Sequence, residues 1–293
     1  MSRCPGSGES GLLVVDKPAG LTSSQVVGRC RRLLGTRKVG HAGTLDPMAT
    51  GVLIIGINRA TRLLGHLALH DKSYRATIRL GAATITDDAE GEVTMVRDAS
   101  AVTDEQIGQG VATLTGEIMQ VPSSVSAIKV GGKRSYARVR GGEEVHLAAR
   151  PVTVSRFEVL ARRRHDGFVD VDVEVDCTKG TYIRALARDL GAALGVGGHL
   201  VTLRRTRIGR YTLDDAIELG DTAPALMSMA QAARLSFEVV EVSEEQRADV
   251  LVGRGLDLAL SAAPTGIIDP DGELIALYTP VGDHTARPLA VLA

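Results

Sequence analysis

Cysteine is scarce and scattered in this chain: Cys4, Cys30 and Cys177 are odd in number, and no CxxC pair exists. The histidines fall in no ligand spacing either. Neither a zinc site nor a disulfide framework is indicated, and the thiols read as buried or incidental groups in a reducing cytoplasm. No stretch is long or apolar enough to cross a membrane. The opening MSRCPGSGESG lacks the apolar run of a secretory signal, and residues 1–10 read as a flexible lead-in. No phosphate-cradling P-loop pattern occurs; the glycine-rich GVGG at 195–198 follows a helix rather than opening one. Repeats and low-complexity segments are missing too. These absences leave a soluble, folded, cytoplasmic protein with no metal or organic cofactor expected.

Net charge is also small, −1, but it conceals a division. Residues 1–210 hold 30 Lys and Arg against 21 Asp and Glu, whereas residues 211–293 hold 4 against 14. Such a division points to a polyanion-binding body joined to an acidic appendix. The basic residues gather locally, in Arg29 to Lys38, Lys129 to Arg140, Arg162 to Arg164 and Arg204 to Arg210. Clusters suit phosphate contacts better than an even scatter does.

GLLVVDKPAG (11–20) reads as a buried strand ending at Asp16-Lys17-Pro18. Ser23 or Ser24 then caps a helix with Val26, Val27, Cys30, Leu33 and Leu34 on one stripe. GVLIIGI (51–57) and SYRATIRLG (73–81) read as strands, the second followed by an acidic turn at TDDAEGE. In FVDVDVEVDC (168–177) valines alternate with acids, which predicts a strand with one buried and one wet face. It feeds a helix carrying Ile183, Leu186, Ala187, Leu190 and Leu194, and Arg184 falls at the junction. Between the regular patterns, SSVSAIKVGGKRSYARVRGGEEV (123–145) has two Gly-Gly pairs and five cations, and reads as a protruding basic arm. Beyond residue 212 come helical segments around 213–235 and then short strands, with a hairpin turned at Asp269 to Gly272. About sixty residues of short strands suit a small β-barrel.

The segment GHAGTLDPMATG (40–51) stands apart. Pro47 pushes Asp46 toward extended geometry, and Gly40, Gly43 and Gly51 permit turns that other residues would obstruct. One reading is a turn in which Asp46 hydrogen-bonds its own backbone. The other is a presented carboxylate. Tyr74 in KSYRA and Arg184 in KGTYIR could converge with it. An arginine holds a carboxylate ionised and orients it, and a tyrosine offers a flat face and a phenolic oxygen. Asp, Tyr and Arg without metal or thiol suit covalent or acid–base chemistry on a sugar or base.

GLLVVDKPAGLTS, GHAGTLDPMATG, KSYRATIRLG and KGTYIRALARDLG, in that order and with LRRTRIG (203–209) closing the set, resemble the motifs of the TruB family of tRNA pseudouridine synthases. The resemblance covers most of residues 11–210. It implies an α+β fold: a catalytic domain over 11–235 with a central mixed, mostly antiparallel sheet flanked by helices, and a small PUA-like β-barrel over 236–293. It implies isomerisation of the uridine at position 55, in the T-loop of tRNA, by a monomer. Asp46 would be the catalytic aspartate, Arg184 its partner, and Tyr74 the residue that stacks on the uracil and helps remove the C5 proton. Tyr182 and Leu203 would line the uridine pocket. His41 would fill the space left when the uridine flips out. Lys17 would support either the site or a phosphate. The arm, about 123–150, would be the family's RNA-gripping thumb, with Lys129, Lys133, Arg134, Arg138 and Arg140 on backbone phosphates. The acidic C-terminal region departs from a phosphate-binding surface. Two other readings share the basic body: an RNA-folding chaperone or tRNA-binding module, and a synthase acting on another RNA such as rRNA.

Overall fold

The apolar run from Leu12 to Val15 is buried in a strand, Gly11–Lys17, in the computed structural model, which describes residues 8–123, 129–130, 133–134 and 147–292. The chain divides into two compact units, residues 1–70 with 207–293, and residues 71–206. Each contains helices and strands, and the chain is α+β, as the resemblance implies.

In the first unit, Gly11–Lys17 pairs antiparallel with Thr50–Ile57 along its whole length, from Gly11 opposite Ile57 to Lys17 opposite Gly51. Val39–Ala42 covers the other edge of Thr50–Ile57, with His41 opposite Ile55. The helix Ser23–Leu34 buries Val26, Val27, Cys30 and Leu34, the stripe expected, with Leu33 half-buried. Its cap is Thr22 rather than Ser23 or Ser24. The Thr22 hydroxyl accepts from Gln25 N at 3.1 Å, and the Gln25 side chain accepts from Thr22 N at 2.8 Å. Ser23 is otherwise engaged, its hydroxyl exchanging hydrogen bonds with Leu45. Gly35 ends the helix in the left-handed region.

The chain's end completes the same unit. Met227–Ser228 extends the first strand's sheet, and Ile217 bridges to Val15 in parallel. A five-stranded sheet follows in the order Glu238–Glu241, Thr265–Ile268, Leu274–Pro280, Thr285–Val291, Leu256–Asp257, its first pair parallel and the rest antiparallel. The predicted hairpin turns at Asp269, whose carboxylate accepts from the Asp271 and Glu273 amides. One apolar core joins the two ends of the chain: Leu12, Val14 and Ile54 lie in the same buried cluster as Ala233, Ile268 and Leu277. Tyr211 belongs to it, its hydroxyl donating to the Ala232 carbonyl at 3.0 Å.

The second unit is built on a strand series ordered Gly198–Ile208 (to Thr206), Lys72–Leu80, Phe168–Cys177, Arg150–His165, Gly116–Gln120. The last four run antiparallel to one another. Val169, Val171, Val173 and Val175 are fully buried, as the alternation predicts, but the face expected to be wet is largely covered: Asp170 is buried and Asp172, Glu174 and Asp176 are half-buried. Arginines from the neighbouring strands cover it. Asp170 takes a paired contact from Arg79 at 2.7 and 2.8 Å, and Glu174 and Asp176 share Arg156. The helix Ile183–Ala193 packs Leu186, Ala187 and Leu190 into the core. Its return to the sheet is tight enough that a Cβ on Gly191 would meet Gly198 N at 2.1 Å. The glycines at 195–198 therefore serve this connection. Cys30 and Cys177 are buried thiols, and burial pushes each up to about 11, which fits the inert role expected of them.

Candidate active site

The first unit presents Asp46 from a loop that is held at both ends. Gly43 and Gly51 both adopt positive φ, 75° and 99°, where a side chain would be strained. The Ala49 amide donates to the Asp46 carbonyl at 3.1 Å, a tight turn through Pro47. Beneath the loop, the fully buried Lys17 ammonium donates to the carbonyls of Pro18, Leu21 and Pro47 at 2.9, 2.6 and 3.1 Å. The Gly20 amide donates to the Pro47 carbonyl as well, at 2.9 Å. The Ser23–Leu45 pair fastens the residue just before Asp46 to the helix. These contacts set the Lys17 ammonium against carbonyls on both sides of the loop. Asp46 itself is half-buried, and so is His41, on the adjoining strand Val39–Ala42.

The second unit carries Tyr74, Tyr182, Arg184 and Leu203. Tyr74 and Leu203 are buried on neighbouring strands of the series. Tyr182 precedes the first turn of the helix, where Gln120 grips it through a reciprocal pair: Tyr182 N donates to the Gln120 side chain at 2.8 Å, and Gln120 Nε2 donates to the Tyr182 carbonyl at 3.1 Å. Arg184 is buried. Its guanidinium lies 3.3 Å from the Asp88 carboxylate and donates to the Thr86 carbonyl at 2.7 Å. Asp88 is itself fixed by the Thr86 hydroxyl at 2.6 Å and the Glu90 amide at 3.1 Å. Arg188, one turn on, pairs with Asp87 and Asp189. Burial raises the Asp87 carboxyl above its ordinary value, against the lowering effects of Ser123 and Arg188.

Reasoning from sequence missed Asp88, Gln120 and Ser23 as positioning residues. The acidic doublet in TDDAEGE was legible, but as a turn; nothing local links it to an arginine almost a hundred residues on. In Arg162–Arg164, read as a cluster suited to phosphate contacts, Arg163 pairs with Asp172, and Arg164 and Arg162 share Asp104, so each of the three lies against a carboxylate of the protein. Arg205, in another of the clusters, is buried. Within the arm, Lys129–Val130 and Lys133–Arg134 pair as a short antiparallel ladder; the side chains of Lys129, Lys133 and Arg134, and Arg138 and Arg140 entirely, lie outside the described residues. Among the described residues, no group of three or more His, Cys, Asp or Glu side chains is placed to hold a metal, and no helix is long and apolar enough to cross a membrane.

The architecture is that of a pseudouridine synthase. It aligns with a solved Cbf5–Nop10–Gar1 complex at a TM-score of 0.72 and 26% identity, over 97% of this chain and 85% of the other. An H/ACA RNP bound to a substrate RNA containing 2′-deoxyuridine aligns at 0.71 and 25%, with the same coverages. Residues 31–183 match the model of the TruB family pseudouridylate synthase N-terminal domain. Residues 184–240 match the tRNA pseudouridylate synthase B C-terminal domain, and 237–293 the tRNA pseudouridine synthase II C-terminal domain. A curated relative from Cutibacterium acnes, "tRNA pseudouridine synthase B", is 60% identical over 97% of both chains. A relative of the same name from Mycobacterium sp. is 59% identical over 96% of both. The chain belongs to the TruB family of pseudouridylate synthases, and it is an isomerase.

Proposed function

We propose that this protein converts the uridine at position 55 in the T-loop of tRNA to pseudouridine, with Asp46 as the catalytic nucleophile. The observation that carries the reading is the Asp46 loop: its neighbours Leu45 and Pro47 are each pinned from beneath, so the carboxylate is presented by a fixed backbone. The tRNA substrate rests on the relatives, which at 57–60% identity across nearly the whole chain share the name tRNA pseudouridine synthase B. The structural neighbours solved as H/ACA particles share only 25% of their residues with it, which favours tRNA over another RNA.

In this reading the N1–C1′ bond breaks as Asp46 meets the developing positive charge at C1′. The uracil turns within the site and rejoins through C5, and the C5 proton leaves as N1 regains one. Tyr74 stacks on the base and helps remove that proton. Arg184, fixed by Asp88 and the Thr86 carbonyl, supplies a positive charge to the reaction. Tyr182 and Leu203 bound the uridine. A uridine inside a folded loop must leave its stack first, at a cost of a few kcal/mol, and His41 occupies the space it vacates. Lys17 acts through the loop. The basic arm grips backbone phosphates, while the acidic C-terminal region takes no large share of them.

The test is to incubate the protein with tRNA labelled with tritium at uridine C5, measure release, and map the modified nucleotide. Release from a single T-loop uridine is expected. Release confined to another loop, or seen with rRNA and absent with tRNA, refutes the substrate assignment.

A further inference from the structure

Ion pairing separates the basic clusters from one another. Arg79, Arg156, Arg163, Arg164 and Arg188 each lie against a carboxylate. In the first unit, Arg31, Arg32, Arg37, Lys38 and Arg59 are all exposed, and none has a carboxylate within 4 Å among the described residues. They come from three segments: the last turn of the helix Ser23–Leu34, the loop after it, and the turn Asn58–Arg62. Hydrogen bonds gather these segments. Arg31 donates to the Val39 carbonyl at 2.9 Å, the Asn58 amide to the Lys38 carbonyl at 2.7 Å, and the Thr36 hydroxyl to the Asn58 side chain at 2.8 Å. Of the acids at the margin, Asp221 pairs with Arg29.

Favourable interaction with the helix C-terminus accounts for Arg31 and Arg32, since cations in a last turn stabilise a helix. It leaves Arg37, Lys38 and Arg59 unexplained. Like charges massed on one face repel, and a phosphate backbone relieves that repulsion while releasing its counterions. The cluster is also rigidly connected to Asp46. One end of the helix is fastened to Leu45 through Ser23, and its twelve residues carry the other end about 18 Å away. That is roughly half of one duplex turn. A duplex stem that runs along this helix from a loop seated at Asp46 brings its phosphates to the cluster.

We propose that Arg31, Arg32, Arg37, Lys38 and Arg59 form a second RNA-backbone surface, separate from the 123–150 arm, that holds phosphates of the stem beside the target loop. The identity of that RNA rests on the function proposed above. The test is the salt dependence of tRNA affinity between 50 and 200 mM salt, read as the slope of log affinity against log salt. The variant is Arg32→Gln/Arg37→Gln/Lys38→Gln/Arg59→Gln; Arg31 is kept because its guanidinium holds Val39. With each duplex phosphate contact worth about 0.9 in slope, loss of four flattens it by about 3.6. The loop pair Arg37→Gln/Lys38→Gln alone flattens it by about 1.8 and decides the matter if the fourfold variant folds poorly. The neutralised pair Arg163→Gln/Arg164→Gln leaves the slope as in the parent protein. A slope unchanged in the loop pair, or flattened equally by the neutralised pair, overturns the surface. Parent protein that forms no pseudouridine on tRNA but shows the cluster-dependent slope refutes the proposed function and leaves the surface standing.

Discussion

Replacing Asp88 by alanine removes an acidic partner of the buried Arg184 and, at once, the two contacts that anchor that carboxylate. The carboxylate and guanidinium are each about 5% exposed and 3.3 Å apart, so little water is there to compensate. Removing one member of a buried pair costs about 3–5 kcal/mol. Arg184 keeps its 2.7 Å bond to the Thr86 carbonyl, which places the expected loss near the lower figure, about 3 kcal/mol. Asp88→Asn should cost less, about 1–2 kcal/mol, because the amide oxygen still accepts from the Thr86 hydroxyl and the Glu90 amide and only the charge is gone. The assay is urea unfolding of the three proteins, comparing midpoints at constant m. Turnover should fall in both variants in the same order, since both loosen Arg184. A cost for Asp88→Ala below about 1 kcal/mol, or an asparagine variant as damaged as the alanine one, would refute the view that this pair fixes Arg184.

Two titrations follow from the same geometry. The Arg79 hydrogen bonds, then His165, hold the Asp170 carboxyl below its ordinary 3.8, so its stabilisation is complete above that value and is lost as pH falls through the depressed one. Asp170→Asn should lower stability at pH 7 and flatten the acid limb of the curve of urea midpoint against pH; an unchanged limb counts against the pairing. Burial, then Arg205, pushes the Lys72 amine down from 10.5 to about 8. Between those values the unfolded chain binds the extra proton, so stability should rise from pH 8 to 10.5, a rise that Lys72→Met should remove. His41→Ala should slow turnover of folded tRNA several-fold more than turnover of a T-arm with a weakened loop; equal slowing of both would assign His41 to the chemistry or the fold.

Local order was legible wherever one face of an element is buried. The valines of 168–177 and the stripe of the helix Ser23–Leu34 sit where their periodicities put them, because burial acts on each residue separately. The Asp46 loop was legible as strained backbone, through its glycines and Pro47. What holds that loop was not, since Lys17 reaches it across thirty residues and Ser23 across twenty-two. Charge was the least legible property. Composition alone makes Arg163 and Arg37 equivalent, yet one faces Asp172 across the sheet and the other faces no carboxylate among the described residues. A residue's charge is local, but its neutralisation depends on strand register, which the sequence states only indirectly.

The most direct measurement is single-turnover tritium release by Asp46→Asn beside the parent protein, with tRNA affinity measured on the same samples. Asparagine keeps the shape of the side chain and removes its charge, so the loss should fall on chemistry alone. The account predicts that release is abolished while affinity for tRNA stays within about twofold, a free-energy change under about 0.5 kcal/mol. Release at a near-parental rate by the folded variant would contradict it.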